Sequence, residues 1–314
     1  MRKIKKKNNL IINLAVAVAA IALTLLFLEI FFRIYLGNNL HYNYVDDLWV
    51  LKPDQNGFTY PNNKHATINS EGYRGDLIDP KKETVLFLGD SLLFGYTIGD
   101  NDTLTQNLLR ELQKKNISNY NIVNGGVPGY SISQMLELYN YTYSKYRPKY
   151  VVVSFIEWDI FRKSEEQDPS YFKKMIARKL IRSSSFIAHM KPRLEILRQL
   201  IIGPEQFRQE NYDVFLSEDM NRLNEFDKML KRSNTTLILH VWTYQKNQSV
   251  FYSKVYNISS EYNLSLLPDY YHYVFEEYPN KIGDLYSEDG HPSEIQTKRL
   301  AEVMINDLLA YVKK

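Results

Sequence analysis

A serine and a histidine that lie far apart in the sequence are the first candidates for chemistry. Ser91 ends the tripeptide Gly-Asp-Ser, directly after the apolar run Val85–Leu88. His291 lies in the sequence Asp-Gly-His-Pro, close to the carboxyl terminus. A serine hydroxyl is a weak nucleophile until a base such as histidine takes its proton. The pair therefore predicts nucleophilic chemistry if the fold joins them; a polar turn and a solvated loop histidine are the alternatives for each fragment alone.

Two carboxylates before His291 are candidates for orienting its imidazole ring. Asp289 lies two positions before the histidine, and Glu288 lies three positions before it. A carboxylate beside a catalytic histidine fixes its tautomer and stabilises the imidazolium. Of the six histidines, His291 alone has acidic residues at both positions and a proline after it. We favour Asp289 as the acid and keep Glu288 as the alternative.

A glycine-rich segment is the candidate for stabilising negative charge on oxygen. Residues Gly125 to Gly129 read Gly-Gly-Val-Pro-Gly and follow the short run Asn121–Asn124. Backbone N–H groups in such a turn can point at a developing oxyanion. The alternative is a tight turn that needs the positive φ of glycine.

The pattern of apolar runs predicts the scaffold that must position these groups. Strands that alternate with helices indicate an α/β fold with a parallel sheet and right-handed crossovers. Such sheets bind ligands at the carboxyl ends of their strands, which is where Ser91 follows the first strand. The predicted strands are Val85–Leu88, Asn121–Asn124, Tyr150–Phe155, Thr236–Val241 and Leu264–Leu267. The predicted helices are Leu104–Lys115 with Thr103 as N-cap, Ser131–Tyr146, Val250–Tyr262 and Glu294–Val312.

The amino terminus combines a basic tail with a long apolar segment. Residues 1–7 are mostly lysine and arginine, and Leu10–Leu28 is apolar except for Asn13 and Thr24. A membrane-spanning helix needs about 20 apolar residues, whereas the apolar core of a cleavable signal peptide has about 7–15. We therefore predict an uncleaved single-pass anchor, with a signal peptide as the alternative. The positive-inside rule places the amino terminus in the cytoplasm and the rest outside it.

The chain divides into three predicted parts. Residues 1–37 form the basic tail and anchor, 38–80 an extended approach segment with short strands, and 81–314 the α/β domain. Within that domain, residues from about 161 to 231 form a helical insertion that is basic in its middle. Solvated lysines are the simplest interpretation of the insertion, and a lid or a surface attracted to anionic lipid is the alternative.

Composition excludes several classes of protein. The chain has 314 residues, a net charge of +3 and no cysteine. Disulfides, thiolate metal sites and a cysteine nucleophile are therefore excluded. The small net charge and the lack of a nucleic-acid-binding signature predict no nucleic-acid partner. We also predict no metal and no cofactor.

Three blocks together resemble the SGNH (GDSL-type) hydrolase superfamily, in its membrane-anchored bacterial branch. They are Leu88–Ser91, Asn124–Tyr130 and Asp289–Pro292, and the resemblance runs from about Asn69 to the carboxyl end. It implies Ser91 as nucleophile, Gly129 as an oxyanion N–H donor and His291 as base. It also implies a flavodoxin-like, three-layer α/β/α fold with five parallel strands. The Gly-x-Ser-x-Gly elbow of α/β-hydrolases is absent from the sequence.

One position departs from the family pattern. The family places an asparagine after the third strand, whose side chain donates to the oxyanion, and Trp158 occupies that position here. An indole N–H can donate one hydrogen bond, so Trp158 is the third candidate oxyanion donor. Losing such a donor costs about 10²–10³ in turnover in a serine protease. The oxyanion hole is therefore predicted to be degenerate or differently built.

These inferences predict a membrane-anchored serine esterase with a Ser91–His291–Asp289 triad. The family resemblance implies O-acyl, particularly O-acetyl, esters of envelope glycans as substrates. An O-acyltransferase that uses the same site is one alternative. A non-catalytic module that binds a glycan or a partner is the other, and the substitution at Trp158 is its support.

Overall fold

The computed structural model describes most of the chain outside the predicted insertion. The described residues are 2–36, 40–45, 48–59, 64–166, 184, 186–187, 190, 212–243, 248–276, 283–287 and 290–312. Most of the predicted insertion, including its basic middle, therefore lies outside the described residues.

The first helix, α1 (Arg2–Leu36), contains the predicted anchor. Residues Ile11–Ile34 form a stretch of 24 residues with mean hydropathy 2.7, and none of it is buried against the rest of the protein. In the part of the chain that is described, this is the one helix long and apolar enough to cross a membrane. A signal sequence meets the same criterion.

The described strands of the predicted approach segment pair as two antiparallel hairpins. Strands β1 (Tyr42–Val45) and β2 (Leu48–Leu51) form the first, and β3 (Gln55–Thr59) and β4 (Lys64–Ile68) form the second. Trp49 is buried, and its indole N–H donates to the carbonyl oxygen of Pro128 at 3.0 Å. The first hairpin is thereby packed against the glycine-rich segment of the α/β domain.

A sheet of five parallel strands forms the centre of the domain, which confirms the predicted fold class. Its order is β6-β5-β7-β8-β9, so the first strand of the sheet lies between the second and third. The chain reverses its direction of winding at β5, and open sheets bind ligands at such a point. The strands are β5 (Glu83–Gly89), β6 (Tyr120–Gly126), β7 (Tyr150–Phe155), β8 (Thr236–Val241) and β9 (Ser265–Leu266).

Helices cover both faces of this sheet. The short α2 (Ser91–Phe94) follows β5. Helix α3 (Leu104–Lys114) has Thr103 as its N-cap, as predicted, and the Thr103 hydroxyl accepts from the N–H of Gln106. One face packs against α3 and α8 (Glu294–Val312) through an apolar cluster. Among the described helices, four pack on the other face: α4 (Ile132–Leu138), α5 (Glu157–Glu166), α6 (Tyr212–Arg232) and α7 (Gln248–Tyr262).

The segment predicted as one helix over Ser131–Tyr146 is divided in the structure. After α4 the chain forms a π-helical turn at Tyr139–Tyr143 and a 3₁₀ turn at Ser144–Tyr146. Arg147 then adopts a left-handed conformation with φ of 47°. Pro148 explains this ending, because a proline disfavours the α conformation in the residue before it.

Candidate active site

The nucleophile candidate Ser91 is the first residue of α2, immediately beyond β5. Asp90 caps this helix, since its Oδ1 accepts the N–H of Leu92 at 2.8 Å. Capping by Asp satisfies a backbone donor that the first turn of a helix leaves unpaired. Asp90 thus braces the turn that carries Ser91.

The structure brings Ser91 and His291 together. The Nε2 atom of His291 lies 2.9 Å from the Oγ atom of Ser91, within hydrogen-bonding distance. With an unprotonated Nε2, the serine hydroxyl donates to the imidazole, which is the arrangement a general base requires. Ser91 itself is largely buried, with 8% of its surface exposed. The ring of Tyr96 lies beside the imidazole, with 5.6 Å between the ring centroids.

Short loop contacts hold His291 in this position. The N–H and the hydroxyl of Ser287 both donate to the carbonyl oxygen of His291, at 2.9 and 3.0 Å. The hydroxyl of Thr97 donates to the carbonyl oxygen of Pro292 at 3.2 Å. Helix α8 then begins at Glu294 and packs against α3. The base is therefore fixed relative to the segment after α2, although it is distant from that segment in sequence.

Both candidate acids, Asp289 and Glu288, lie outside the described residues. The structure describes the neighbouring Gly290, which has a φ of 84°. Glycine adopts this left-handed conformation without a steric penalty, which accounts for the residue type at this turn. The identity of the acid stays a prediction.

The glycine-rich segment is bonded to the nucleophile helix at several points. The side-chain amide of Asn124 donates to the carbonyl oxygen of Leu93 at 2.9 Å, and the N–H of Val127 donates to that of Gly89 at 3.0 Å. A Cβ on Gly126 would lie 2.5 Å from the backbone nitrogen of Phe94, so only glycine allows this close approach.

Within the same segment, Gly129 has a φ of 88°, again in the left-handed region that favours glycine. The segment containing Gly129 is therefore held beside the turn that carries Ser91.

Trp158 lies in the first turn of α5, just after β7, and is 40% exposed. Its neighbour Asp159 is fully buried, and the Oδ2 of Asp159 accepts the N–H of Ile156 at 3.0 Å. Helix α5 thus begins at the same edge of the sheet as α2. The side chain of Trp158 is accessible to solvent there.

Two arginines support the site, and sequence reasoning did not assign either a role. Arg74 is buried beneath α2 and donates to the carbonyl oxygens of Phe94, Gly95 and Ile98 at 2.8, 2.6 and 2.7 Å. Its Nε also pairs with Asp100 at 2.8 Å.

The second arginine, Arg162, lies one turn after Trp158 and contacts both Asp90 and Asp159. The spacing of Asp159 and Arg162 at a strand end was the one available sequence signal, because residues three apart face each other on a helix.

Burial shifts the pKa values of several groups in this region. Desolvation raises the pKa of Asp159 well above its usual range; the nearby charge of Asp90 adds to this, and Arg162 opposes it. Burial lowers the pKa of Arg74, while Asp100 partly offsets that effect. Among the residues the structure describes, no cluster of three or more metal-ligating side chains occurs.

Comparison with known proteins gives similarity at the level of solved structures. No family model matches the sequence, and no curated protein matches it. A catalytic variant of an acetylxylan esterase from Geobacillus stearothermophilus is 17% identical, with a TM-score of 0.46 over 72% of this chain and 94% of that one. A lipase/acylhydrolase from Enterococcus faecalis is 13% identical, with a TM-score of 0.44 over 73% of this chain and 96% of that one. The TesA structure is also 13% identical, with a TM-score of 0.45 over 74% and 98% of the two chains.

Proposed function

We propose that this protein is a serine esterase that cleaves O-acyl esters. The observation that carries the proposal is the 2.9 Å contact between the Ser91 hydroxyl and Nε2 of His291. This pair lies at the carboxyl edge of a parallel sheet, where folds of this type bind ligands. The glycine-rich segment that contains Gly129 lies beside it. The residues proposed as nucleophile, base and backbone donors therefore lie at one edge of the sheet.

The proposed reaction proceeds in two steps through an acyl-enzyme. Ser91 Oγ attacks the ester carbonyl while His291 Nε2 takes its proton, and the carbonyl oxygen becomes an oxyanion. His291 then returns the proton to the leaving alcohol oxygen as the ester C–O bond breaks. Water attacks the acyl-enzyme with His291 again as base, which releases the carboxylic acid and restores Ser91.

The proposed oxyanion donors are the N–H groups of Ser91 and Gly129, with the indole N–H of Trp158 as the third. Preformed donors of this kind stabilise charge that develops only in the transition state. Asp289 is proposed to orient His291, and Glu288 is the alternative acid.

We further propose that α1 anchors the protein in a membrane with the catalytic domain outside the cytoplasm. Its apolar stretch of 24 residues supports this, as does the basic tail before it. An enzyme in that location would meet envelope glycans, so O-acetyl groups on such glycans are the proposed substrates. A sugar hydroxyl in place of water would make the same site an acyltransferase.

Trp158 supports one rival from a different class, a non-catalytic module that binds a glycan or an assembly partner. The side chain is a bulky, exposed aromatic where the family has a small amide. Exposed aromatic rings provide contact area in binding sites without any chemistry.

Full-length protein in detergent micelles distinguishes the two functions. We expect wild-type protein to hydrolyse p-nitrophenyl acetate and to be labelled by a serine-reactive phosphonate, and Ser91→Ala to do neither. Equal hydrolysis by both proteins, together with no labelling of the wild type, would favour the binding module. Acetylated glycan offered with and without an acceptor sugar then separates hydrolase from transferase.

A further inference from the structure

Arg162 links three parts of the candidate site through one guanidinium nitrogen. Its Nη1 lies 3.3 Å from Oδ2 of Asp90 and 2.8 Å from Oδ1 of Asp159. The same nitrogen lies 2.8 Å from the carbonyl oxygen of Tyr130, the residue that follows Gly129. Arg162 thus joins the cap of the nucleophile helix, the glycine-rich segment and the start of α5.

The contact with Asp90 concerns the proton that Ser91 must lose. The Ser91 hydroxyl has two acceptors within reach, Nε2 of His291 at 2.9 Å and Oδ2 of Asp90 at 3.3 Å. It carries one proton, so donating that proton to Asp90 excludes donating it to His291. Proton transfer to the base requires that the Ser91 hydroxyl donate to Nε2 of His291.

Arg162 acts on the same carboxylate oxygen that competes for this proton. The described contacts of Asp90 Oδ2 are the Ser91 hydroxyl and Arg162 Nη1, both at 3.3 Å. An arginine that shares this oxygen weakens it as an acceptor for the serine, because charge-assisted hydrogen bonds are the stronger ones. Without the guanidinium, the buried Asp90 carboxylate would gain most by binding the serine hydroxyl, since a buried charge requires a donor.

We propose that Arg162 is a positioning residue that directs the Ser91 proton towards His291 by holding Asp90. The proposal rests on the proposed esterase function, since it concerns the nucleophile of that reaction. Arg162 acts through Asp90, which makes it distinct from the oxyanion donors. It lies four positions after Trp158, one turn along the same helix. Helix α5 therefore contributes two side chains to the proposed site. They are Trp158, at the position where the family has its asparagine donor, and Arg162.

The first test compares Arg162→Gln with Arg162→Lys and a matched control. A misplaced nucleophile lowers turnover by roughly 10-fold to 100-fold, so we expect kcat of Arg162→Gln to fall by that factor with KM unchanged. Arg162→Lys retains the charge and is expected to recover part of the rate. The control is Arg222→Gln on α6, whose arginine pairs with a different buried acid, Asp219, at 3.9 Å. It is expected to leave kcat unchanged.

The second test is a double-mutant cycle with Asp90→Asn. Asparagine keeps an oxygen that can cap α2 and removes the charged acceptor that competes for the serine proton. If Arg162 acts through Asp90, Arg162→Gln lowers kcat by less than about 3-fold in the Asp90→Asn background, because such coupling makes the two effects non-additive. A purely structural arginine would lose the same factor in both backgrounds, and that result would overturn the proposal.

Two further outcomes separate this inference from the proposed function. An active wild-type enzyme with an unchanged kcat in Arg162→Gln would overturn the role of Arg162 and leave the esterase intact. A wild type that neither hydrolyses ester nor reacts with the phosphonate would overturn both. Thermal unfolding of each variant shows whether it folds. If Arg162→Gln does not fold, Arg162→Lys replaces it in the double-mutant cycle.

Discussion

In the described part of the domain, two serine–histidine pairs lie at the same edge of the sheet. Ser91 Oγ lies 2.9 Å from His291 Nε2, and Ser154 Oγ lies 2.8 Å from His240 Nδ1. The pairs are neighbours, since Ser154 on β7 pairs with Gly89 on β5 and with His240 on β8. By distance alone, the second pair is as good a catalytic dyad as the first.

Their surroundings distinguish the two pairs. Ser154 and His240 lie within strands and are 2% and 1% exposed, so a substrate has no access to them. Burial lowers the pKa of His240 to about 3, which leaves it neutral and a poor base. His291 lies on a loop, is partly exposed, and faces a serine at a helix start beside a glycine-rich segment. The partial exposure of His291 and the glycine-rich segment beside Ser91, more than the hydrogen bond itself, favour the first pair as the candidate site.

Removing each serine in turn is expected to give the largest difference between the two pairs. We expect Ser91→Ala to lower ester hydrolysis by at least about 10³-fold, because the nucleophile is lost. Ser154→Ala should change the rate by less than a few-fold, while its unfolding free energy falls by about 1–3 kcal/mol because His240 loses its partner. Hydrolysis rates and urea unfolding of both variants provide the measurements. A Ser154→Ala enzyme that is folded but inactive would contradict the assignment.

The helix that begins at Ser91 is held by a buried arginine, Arg74. Arg74 holds the carbonyl oxygens at the end of α2, so Arg74→Gln leaves Asp100 without its buried partner. Breaking a buried pair costs about 3–5 kcal/mol, and we expect a loss of that size in urea unfolding. Arg110→Gln, at an exposed arginine of α3, is the control and should cost less than about 1 kcal/mol. Similar losses in both variants would show that the contacts beneath α2 contribute nothing specific.

The strands of the sheet and the two members of the Ser91–His291 pair could be predicted from the sequence. The predicted strand over Tyr150–Phe155 matches β7, and the predicted helix over Glu294–Val312 matches α8. Apolar runs and helix caps depend on residues that are close in sequence, so the strands and helices they predict are found in the structure. Ser91 and His291 were recognisable because their neighbours form characteristic short motifs.

The supporting groups could not be predicted, because their partners are distant in sequence. Arg74 binds backbone carbonyl oxygens, which are the same in every residue and leave no trace in the side-chain pattern. His240 lies within an apolar strand, where only the tertiary fold shows that Ser154 is its partner. Arg162 depends on Asp90 in the same way.

Substitutions of Trp158 test whether its indole N–H donates to an oxyanion beside Ser91. If the indole N–H donates to the oxyanion, Trp158→Phe should lower kcat by about 10²-fold with little change in KM, since one donor of the transition state is lost. Trp158→Asn introduces the amide that the resembled family has at this position, and its kcat should therefore be higher than that of Trp158→Phe. Steady-state kinetics on p-nitrophenyl acetate measure both. A Trp158→Phe enzyme with wild-type kcat would assign the ring to substrate contact or to packing.

The buried Ser154–His240 pair leads to a prediction about the stability of the protein in acid. The pKa of His240 is lowered from 6.5 to about 3, so below about pH 6.5 the unfolded chain binds a proton that the folded chain does not. Folding free energy should therefore be lost as the pH falls from about 6.5 to about 3, by about 1.4 kcal/mol for each pH unit. Between pH 7 and pH 5 this amounts to about 2 kcal/mol.

His240→Gln isolates this contribution, because the carboxylates that also titrate in acid are the same in every variant. We expect urea unfolding of His240→Gln to show about 2 kcal/mol less destabilisation between pH 7 and pH 5 than the wild type. His272→Gln, at a histidine whose side chain is 63% exposed, should retain the full wild-type dependence. If His240→Gln loses as much stability in acid as the wild type, then His240 becomes protonated in the folded state. The second pair would then be accessible to protons, and burial would no longer separate it from the pair at Ser91.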